Sequence, residues 1–568
     1  MNWWYARRAA RARPATGFVS QPEPRTIGSY ARGKQLVAGN LLFAGHLVQQ
    51  HDGSLWDIAP PNDAFSSELH GFAWLDDLAA LGDREARLLA QTWLQDWITR
   101  YGDGRGPGWT PDLTGRRLIR WINHALFTLN GQDGDDNQAF FRSLAQQTIF
   151  LSKRWHGASP GLPRFEALTG LIYAGLSLTG MENHVEPAMK ALALECAGQI
   201  DAEGGIPTRN PEELLEVFTL LNWAASALSE AGRMAAPEHL AAIERVAPTL
   251  RSLRHSDGGL ARFHGGGRGL EGRLDHALAS SGVRAAAMVG LAMGYARLSA
   301  GRTNIIMDAS RPPRGLASAN AHASTLAIEI TSGRRPLIVN CGSGAHFGEE
   351  WRRAGRATAS HSVLGLDGLS SSRLGATRKV SGADRALLAE TPGDVRLQKL
   401  AEEFSTGLVG SHDGYVPSHG LTHMRRIDLG NDGRELIGED TLAAVSENDQ
   451  RRFGAALDKT RLQGIPFSIR FHLHPDVDAT LDLGGTAVSL ALKSGEIWIF
   501  RFAGPVEMTL EPSVYLEKNR LKPRATKQVV LSGRALDYAT RIRWSFAKAQ
   551  DTPLAIRDLE RDDPALPE

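Results

Sequence analysis

Nine of the 18 histidines fall in one stretch: His255, His264, His276, His322, His346, His361, His412, His419 and His423. Imidazole titrates near neutrality and can take or give a proton, so this concentration points to proton transfer more than any single member does. Three segments carry the most chemical information. In Ser159-Pro-Gly-Leu-Pro-Arg-Phe-Glu, a loop delivers Arg164 to the start of an apolar run. In Glu203-Gly-Gly-Ile-Pro-Thr-Arg-Asn-Pro-Glu-Glu-Leu, a glycine loop brings Arg209 and Asn210 to a helix start, where unpaired backbone amides favour anions. The same residues also read as a helix start alone, with Asn210 as cap, Pro211 in the first position and Glu213 completing a capping box. In the third, Glu350-Trp-Arg-Arg-Ala-Gly-Arg-Ala-Thr-Ala-Ser-His-Ser-Val-Leu, His361 stands directly before a strand, with Trp351 and Arg356 upstream.

Positioning elements are visible in the apolar spacing. Up to Ala300 it is helical: Leu118, Ile122, Leu126 and Leu129 form one stripe, and Phe165, Leu168, Ile172 and Leu176 another. Asn123 and His124, inside the first of these, are counted as substrate contacts. Turn signals such as Gly204-Gly205 separate the stripes, which predicts antiparallel helical hairpins stacked into a solenoid or closed into a ring. After Asn304 the period becomes two, as in Phe467-Ser-Ile-Arg-Phe-His-Leu and Glu496-Ile-Trp-Ile-Phe-Arg-Phe, which predicts an antiparallel sandwich. The expected division is an irregular basic segment over 1–35, helices over 36–303 and strands over 304–568, with a frayed tail from Arg557.

Composition narrows the classes. The 568 residues carry 64 basic and 63 acidic side chains, which speaks against a general polyanion binder, and no basic-aromatic nucleic-acid module appears. Two cysteines give neither a disulfide framework nor a zinc finger. His472-Leu-His474 puts two imidazoles on one strand face, a metal half-site without a third ligand in sequence reach. No metal or other cofactor is therefore assigned, although a divalent ion in the sandwich stays open. No run of about 18 apolar residues is present for a membrane span. The basic, aromatic N-terminus lacks the apolar core of a secretory signal, so the cytoplasm is expected and the cell envelope is the alternative. Among the 13 tryptophans, Trp93 and Trp97 read as core, and Trp109, Trp155 and Trp351 as cleft candidates. Oligomeric state is left open.

Four blocks, taken with the domain order, resemble the heparinase II/III family of polysaccharide lyases. They are His322-Ala-Ser-Thr-Leu-Ala-Ile-Glu, Leu337-Ile-Val-Asn-Cys-Gly-Ser-Gly, Trp351-Arg-Arg…Ser360-His-Ser-Val-Leu-Gly-Leu-Asp-Gly and Asp413-Gly-Tyr…His423-Met-Arg-Arg. The resemblance implies an N-terminal (α/α) toroid followed by a C-terminal antiparallel β-sandwich, and β-elimination on an acidic, uronate-containing poly- or oligosaccharide. Such a reaction needs a group that neutralises the uronate carboxylate, a base and an acid. By the resemblance His361 transfers the proton, Arg164 and Arg209 neutralise carboxylate or sulfate, and His264, Arg356, His423 and Tyr415 support them. The family's toroid motif ends in Tyr-His, where this chain has Glu213-Leu214. The missing tyrosine leaves Glu213, His264 or Tyr415 to supply a proton. It also opens two alternatives: a glycoside hydrolase using Glu213 with Glu166 or Asp257, or a non-catalytic glycan-binding or envelope protein.

Overall fold

The computed structural model describes all residues except 12–14, 52, 133, 289, 381–382, 519 and 550–568. The charged tail from Arg557 lies outside the described residues. Helices dominate the first half, beside one hairpin of Asn40–Phe43 and His46–Gln49, and antiparallel sheets dominate the second.

Three helices, Pro111–Asn123, Leu162–Ser177 and Pro211–Glu230, pack side by side as an inner layer. Gly134–Arg154, Val185–Gln199 and Pro237–Ser252 cover them from outside. Each inner helix has proline at one of its first two positions, where the missing N–H costs nothing. Asn210 caps the third, its side-chain oxygen accepting from the Glu212 and Glu213 amides at 3.0 and 3.2 Å. The reciprocal bond of a capping box is not formed, so the Glu213 carboxylate is released from that expected task. Glycine sets the spacing of the layer: a Cβ on Gly170 would lie 2.5 Å from the Gly115 Cα, and one on Gly115 would lie 2.2 Å from the Glu166 carbonyl oxygen. Only glycines allow these backbones to approach so closely.

The N-terminal segment, expected to be irregular, is structured. Helix Asn2–Ala9 packs on Gly134–Arg154, where Gln146 donates to the Ala6 carbonyl. A second helix, Tyr30–Val37, lies against Ala73–Leu81. Between them the chain crosses the C-terminal ends of all three inner helices. Ser20 donates to the Leu176 carbonyl, Gln21 to the Ile122 carbonyl, and Arg25 pairs with Glu230. This segment closes the end of the toroid opposite the sandwich.

The sandwich begins with Tyr295–Ala300, slightly before the change of period at Asn304. One sheet runs from Val506–Tyr515 through Arg524–Ala535, Ile465–Leu473, Arg335–Val339, Ile328–Ser332 and Thr303–Asp308 to Tyr295–Ala300; Leu364–Leu366 pairs with Ile465–Leu473 beside this path. The facing sheet runs from Val395–Ala401 through Ser405–Tyr415, Leu421–Gly430, Glu435–Ala443, Ala539–Lys548, Ile497–Ala503 and Ala487–Ala491 to Asp478–Asp482. The inward residues of Leu421–Gly430 alternate strictly with half-buried ones, as one covered face demands.

Candidate functional site

The toroid meets the sandwich through Arg209. This residue has φ +50°, and its carbonyl accepts from the Tyr295 hydroxyl at 2.6 Å. Nε donates to the Met293 carbonyl, Nη1 to Ser310 and Arg311, and Nη2 to Gly294 and to Asp308 Oδ1 at 2.6 Å. A guanidinium has five N–H donors, and these contacts use all of them. Arg209 is therefore a latch between the domains and has no donor left for a substrate anion. The Asn210 side-chain oxygen is taken up as a helix cap. Exchange of Arg209 for Met is expected to lower stability by about 2–3 kcal/mol, the scale of lost hydrogen bonds to a charged group. Thermal unfolding followed by circular dichroism would show it, and an unchanged midpoint would contradict the latch.

Asp308 begins a chain of buried groups. Its Oδ2 accepts from Ser324 at 2.7 Å and lies 3.5 Å from His264 Nε2. The His322 amide donates to His264 Nδ1 at 3.1 Å, which fixes that nitrogen as an acceptor. His322 Nδ1 and His361 Nε2 are 3.1 Å apart, and His361 Nδ1 lies 2.8 Å from the Ala357 carbonyl. A carbonyl can only accept, so His361 carries its proton on Nδ1 and its Nε2 lone pair receives the His322 N–H. Burial holds the His361 pKa down to about 4, and those of His322 and His264 well below the usual value. His361 is neutral at pH 7, as a base must be, but its lone pair is already bonded and its side chain has no exposed surface. His264 is also buried.

Other expected contacts are drawn into the framework. Arg356, 3% exposed, donates to the carbonyls of Ala321, Ala386 and Ser318. Tyr415 sits in the sandwich core with its hydroxyl on the Leu364 carbonyl, and burial pushes its pKa up. His423 is buried between His412 and Asp440. Arg164 does start a helix, but it stands on the outward face and pairs with Glu195 of the outer layer at 3.0 Å. His124 bonds Asp76 and Thr26 at the closed end of the toroid; Asn123 is buried beside it. Burial or partners within the protein thus hold each of these side chains in the framework. Trp351 remains open, 37% exposed on the short helix Glu349–Gly355, whereas Trp109 is core. His472 is engaged by Ser513 and the Ala359 carbonyl. Among the described residues, no group of three or more His, Cys, Asp or Glu side chains is placed to hold a metal ion.

The mouth of the toroid has a different character. Glu166, 7% exposed, pairs through Oε1 with Arg116 Nε at 2.6 Å. Burial raises its pKa to about 7 against the pull of Arg116, and Asp112 and Glu216 push the same way as burial. Glu213 is also raised to about 7, by burial first and by the neighbouring Glu166 charge. Of the hydrolase pairs expected from the sequence, Glu166 with Glu213 interact, whereas Asp257 is turned to Arg268 and the Gly259 amide. Asp112, Arg116 and Glu216 escaped the sequence reading. Their signal was charge within the first two turns of otherwise buried helices. Chemically, this carboxylate cluster can hold a shared proton or a cation; it does not offer the excess positive charge a uronate needs.

Comparison with known proteins fits this architecture. The family model described as heparinase II/III-like, C-terminal, matches residues 283–545. Over 555 residues the chain is 31% identical to FtsZ-localized protein C of Caulobacter vibrioides, covering 94% of this chain and 91% of that protein. A crystal structure of heparinase III superposes with a TM-score of 0.69 at 14% identity, covering 96% of this chain and 90% of the other. A mutant of the heparan sulfate lyase HepC from Pedobacter heparinus gives 0.58 at 14% identity, covering 97% and 88%. With a toroid, a sandwich and the sandwich motifs all in place, the chain belongs to the heparinase II/III-like family.

Proposed function

We propose that this protein is a binding protein on a polysaccharide-lyase scaffold, associated with the FtsZ-dependent division machinery, and that it acts without β-elimination. The observation that carries the reading is His361. The histidine in the family's proton-transfer position is buried, with one ring nitrogen on a carbonyl and the other receiving a neighbouring N–H. Arg209 and Tyr415 support it, because the latch and the core consume the groups that β-elimination would require. The association with division rests on the relative that is named for its localisation with FtsZ and matches this chain along nearly all its length.

The lyase reading is the direct competitor, and product chemistry separates the two. Purified protein is expected to produce no ultraviolet-absorbing unsaturated uronate from heparan, alginate or other uronate polymers. It is expected to co-sediment with FtsZ polymers, and His361→Ala is expected to leave that binding intact. Turnover of any uronate polymer that falls by about 10²–10⁴-fold in His361→Ala would establish the lyase instead. New reducing ends without absorbance, abolished by Glu213→Gln, would indicate hydrolysis by the carboxylate pair.

A further inference from the structure

We propose that the carboxylate cluster at the N-terminal ends of the inner helices binds a primary ammonium group carried on a hydroxylated small molecule of the amino-sugar type, with Glu166 and Glu213 holding the ammonium. This rests on the binding reading above and names a ligand class for it.

Charge is the first argument. Asp112 and Arg116 on the Pro111–Asn123 helix, Glu166 on Leu162–Ser177, and Glu213 and Glu216 on Pro211–Glu230 all act electrostatically on one another's neighbourhood. Arg116 is committed to Glu166, and Arg273 to Glu216 at 2.6 Å. Lys518, from the sandwich, also acts on Glu213 but is bonded to Glu212. Four carboxylates thus face two guanidiniums that are already paired, and the surplus is negative.

Unmet hydrogen-bonding capacity is the second, independent argument. Glu166 Oε2 is buried and has no partner among the described residues. One turn deeper on the same helix, Thr169 Oγ1 is in the same condition, and so are Tyr173 Oη and Ser177 Oγ beyond it. Positions 166, 169, 173 and 177 share one helix face. Gly175, on the opposite face, meets Val185 of the outer layer, so the polar stripe points toward the toroid axis. A buried polar atom without a partner costs about 1–3 kcal/mol, and a ligand that supplies donors recovers this. An ammonium donates to Glu166 Oε2 and the Glu213 carboxylate, and a hydroxyl on its carrier reaches Thr169. No three-ligand metal grouping occurs among the described residues, which favours an organic cation.

Titration calorimetry on the full chain with glucamine, whose amine stays protonated through pH 8, tests this; sorbitol is its uncharged counterpart. Glucamine is expected to bind and sorbitol not. Because burial holds both carboxyls near 7, ammonium binding expels a proton, and affinity is expected to rise about tenfold from pH 6 to pH 8. Glu213→Gln and Glu166→Gln should each weaken binding at least about tenfold, whereas Glu212→Gln, which alters a group bonded to Lys518, should not. Should Glu166→Gln fail to fold, as judged by circular dichroism, the partly exposed Glu213 decides. Equal binding of sorbitol, unaltered binding in Glu213→Gln, or no heat at millimolar glucamine would overturn the proposal. Unsaturated products in the absorbance assay would overturn the binding reading whatever glucamine does.

Discussion

Replacing Asp440 by Ala is expected to destabilise the sandwich by about 3–5 kcal/mol, because it leaves a buried cation without its counter-charge. Asp440 and Arg425 have no exposed surface. Arg425 grips both carboxylate oxygens, Nε to Oδ1 at 2.8 Å and Nη2 to Oδ2 at 2.9 Å. Trp544 donates to Oδ2 and His423 Nε2 lies 2.7 Å from Oδ1. The Gly414 amide donates to His412 Nδ1, so His412 presents an N–H to His423 Nδ1, and His423 passes its own N–H to Asp440. Arg425 and the histidine hydrogen bonds hold the Asp440 carboxyl far below the usual carboxylate range, despite its burial. Removing the carboxylate strands the Arg425 charge and two further donors, Trp544 and His423, at once. Chemical denaturation measures the loss. The double variant Asp440→Leu with Arg425→Met should recover much of it, since matched apolar residues remove the charge together with its partner. A loss under 1 kcal/mol for Asp440→Ala would show that the network contributes little.

Acid is expected to destabilise the protein steeply between pH 6.5 and 4. Burial keeps His361 and His472 at about 4 and His70 at about 3; His264, His322 and His412 lie well below the ordinary value. Each pKa is depressed in the folded state, so the unfolded chain binds the proton first. Stability is intact above about 6.5 and drains as pH falls toward the folded values. Three carboxyls oppose this: Glu166 and Glu213 near 7 and Asp77 near 6, all raised by burial, hold protons in the folded state. Six imidazoles against three carboxyls leave a net uptake of about three protons on unfolding, or about 4 kcal/mol per pH unit near pH 5. Against a typical stability of about 5–15 kcal/mol, that rate of loss places the midpoint between about pH 5 and about pH 3. Chemical denaturation at a series of pH values from 7 to 4 checks it, and a stability that does not fall over that range would refute the neutral state assigned to these histidines. His361→Gln is expected to shallow the slope by about one proton.

The sequence by itself determined the architecture. Helical spacing before Ala300 and alternation after Asn304 are local properties, since a helix or strand needs an apolar face wherever it packs. The helix start at Asn210-Pro211 was legible for the same reason: cap and capped amides lie within a single turn. The family was legible because the sandwich blocks around His322, His361 and His423 keep their residue types. What these residues do was decided only by tertiary structure. The carbonyls that consume Arg209 come from Met293 to Arg311, 84 to 102 positions away, and nothing near Arg209 announces them. His361 reads as an available base at a strand entrance until His322, 39 positions earlier, fills its lone pair. Tyr415 and His423 alternate along their strands as a cleft or a core would require; the facing sheet and Asp440 place them in the core. Glu166 and Glu213 lie 47 residues apart and become a pair only when Leu162–Ser177 and Pro211–Glu230 pack side by side. Residue type and spacing fix what a side chain can do, but its free donors, lone pairs and charge at pH 7 depend on distant groups that share its space.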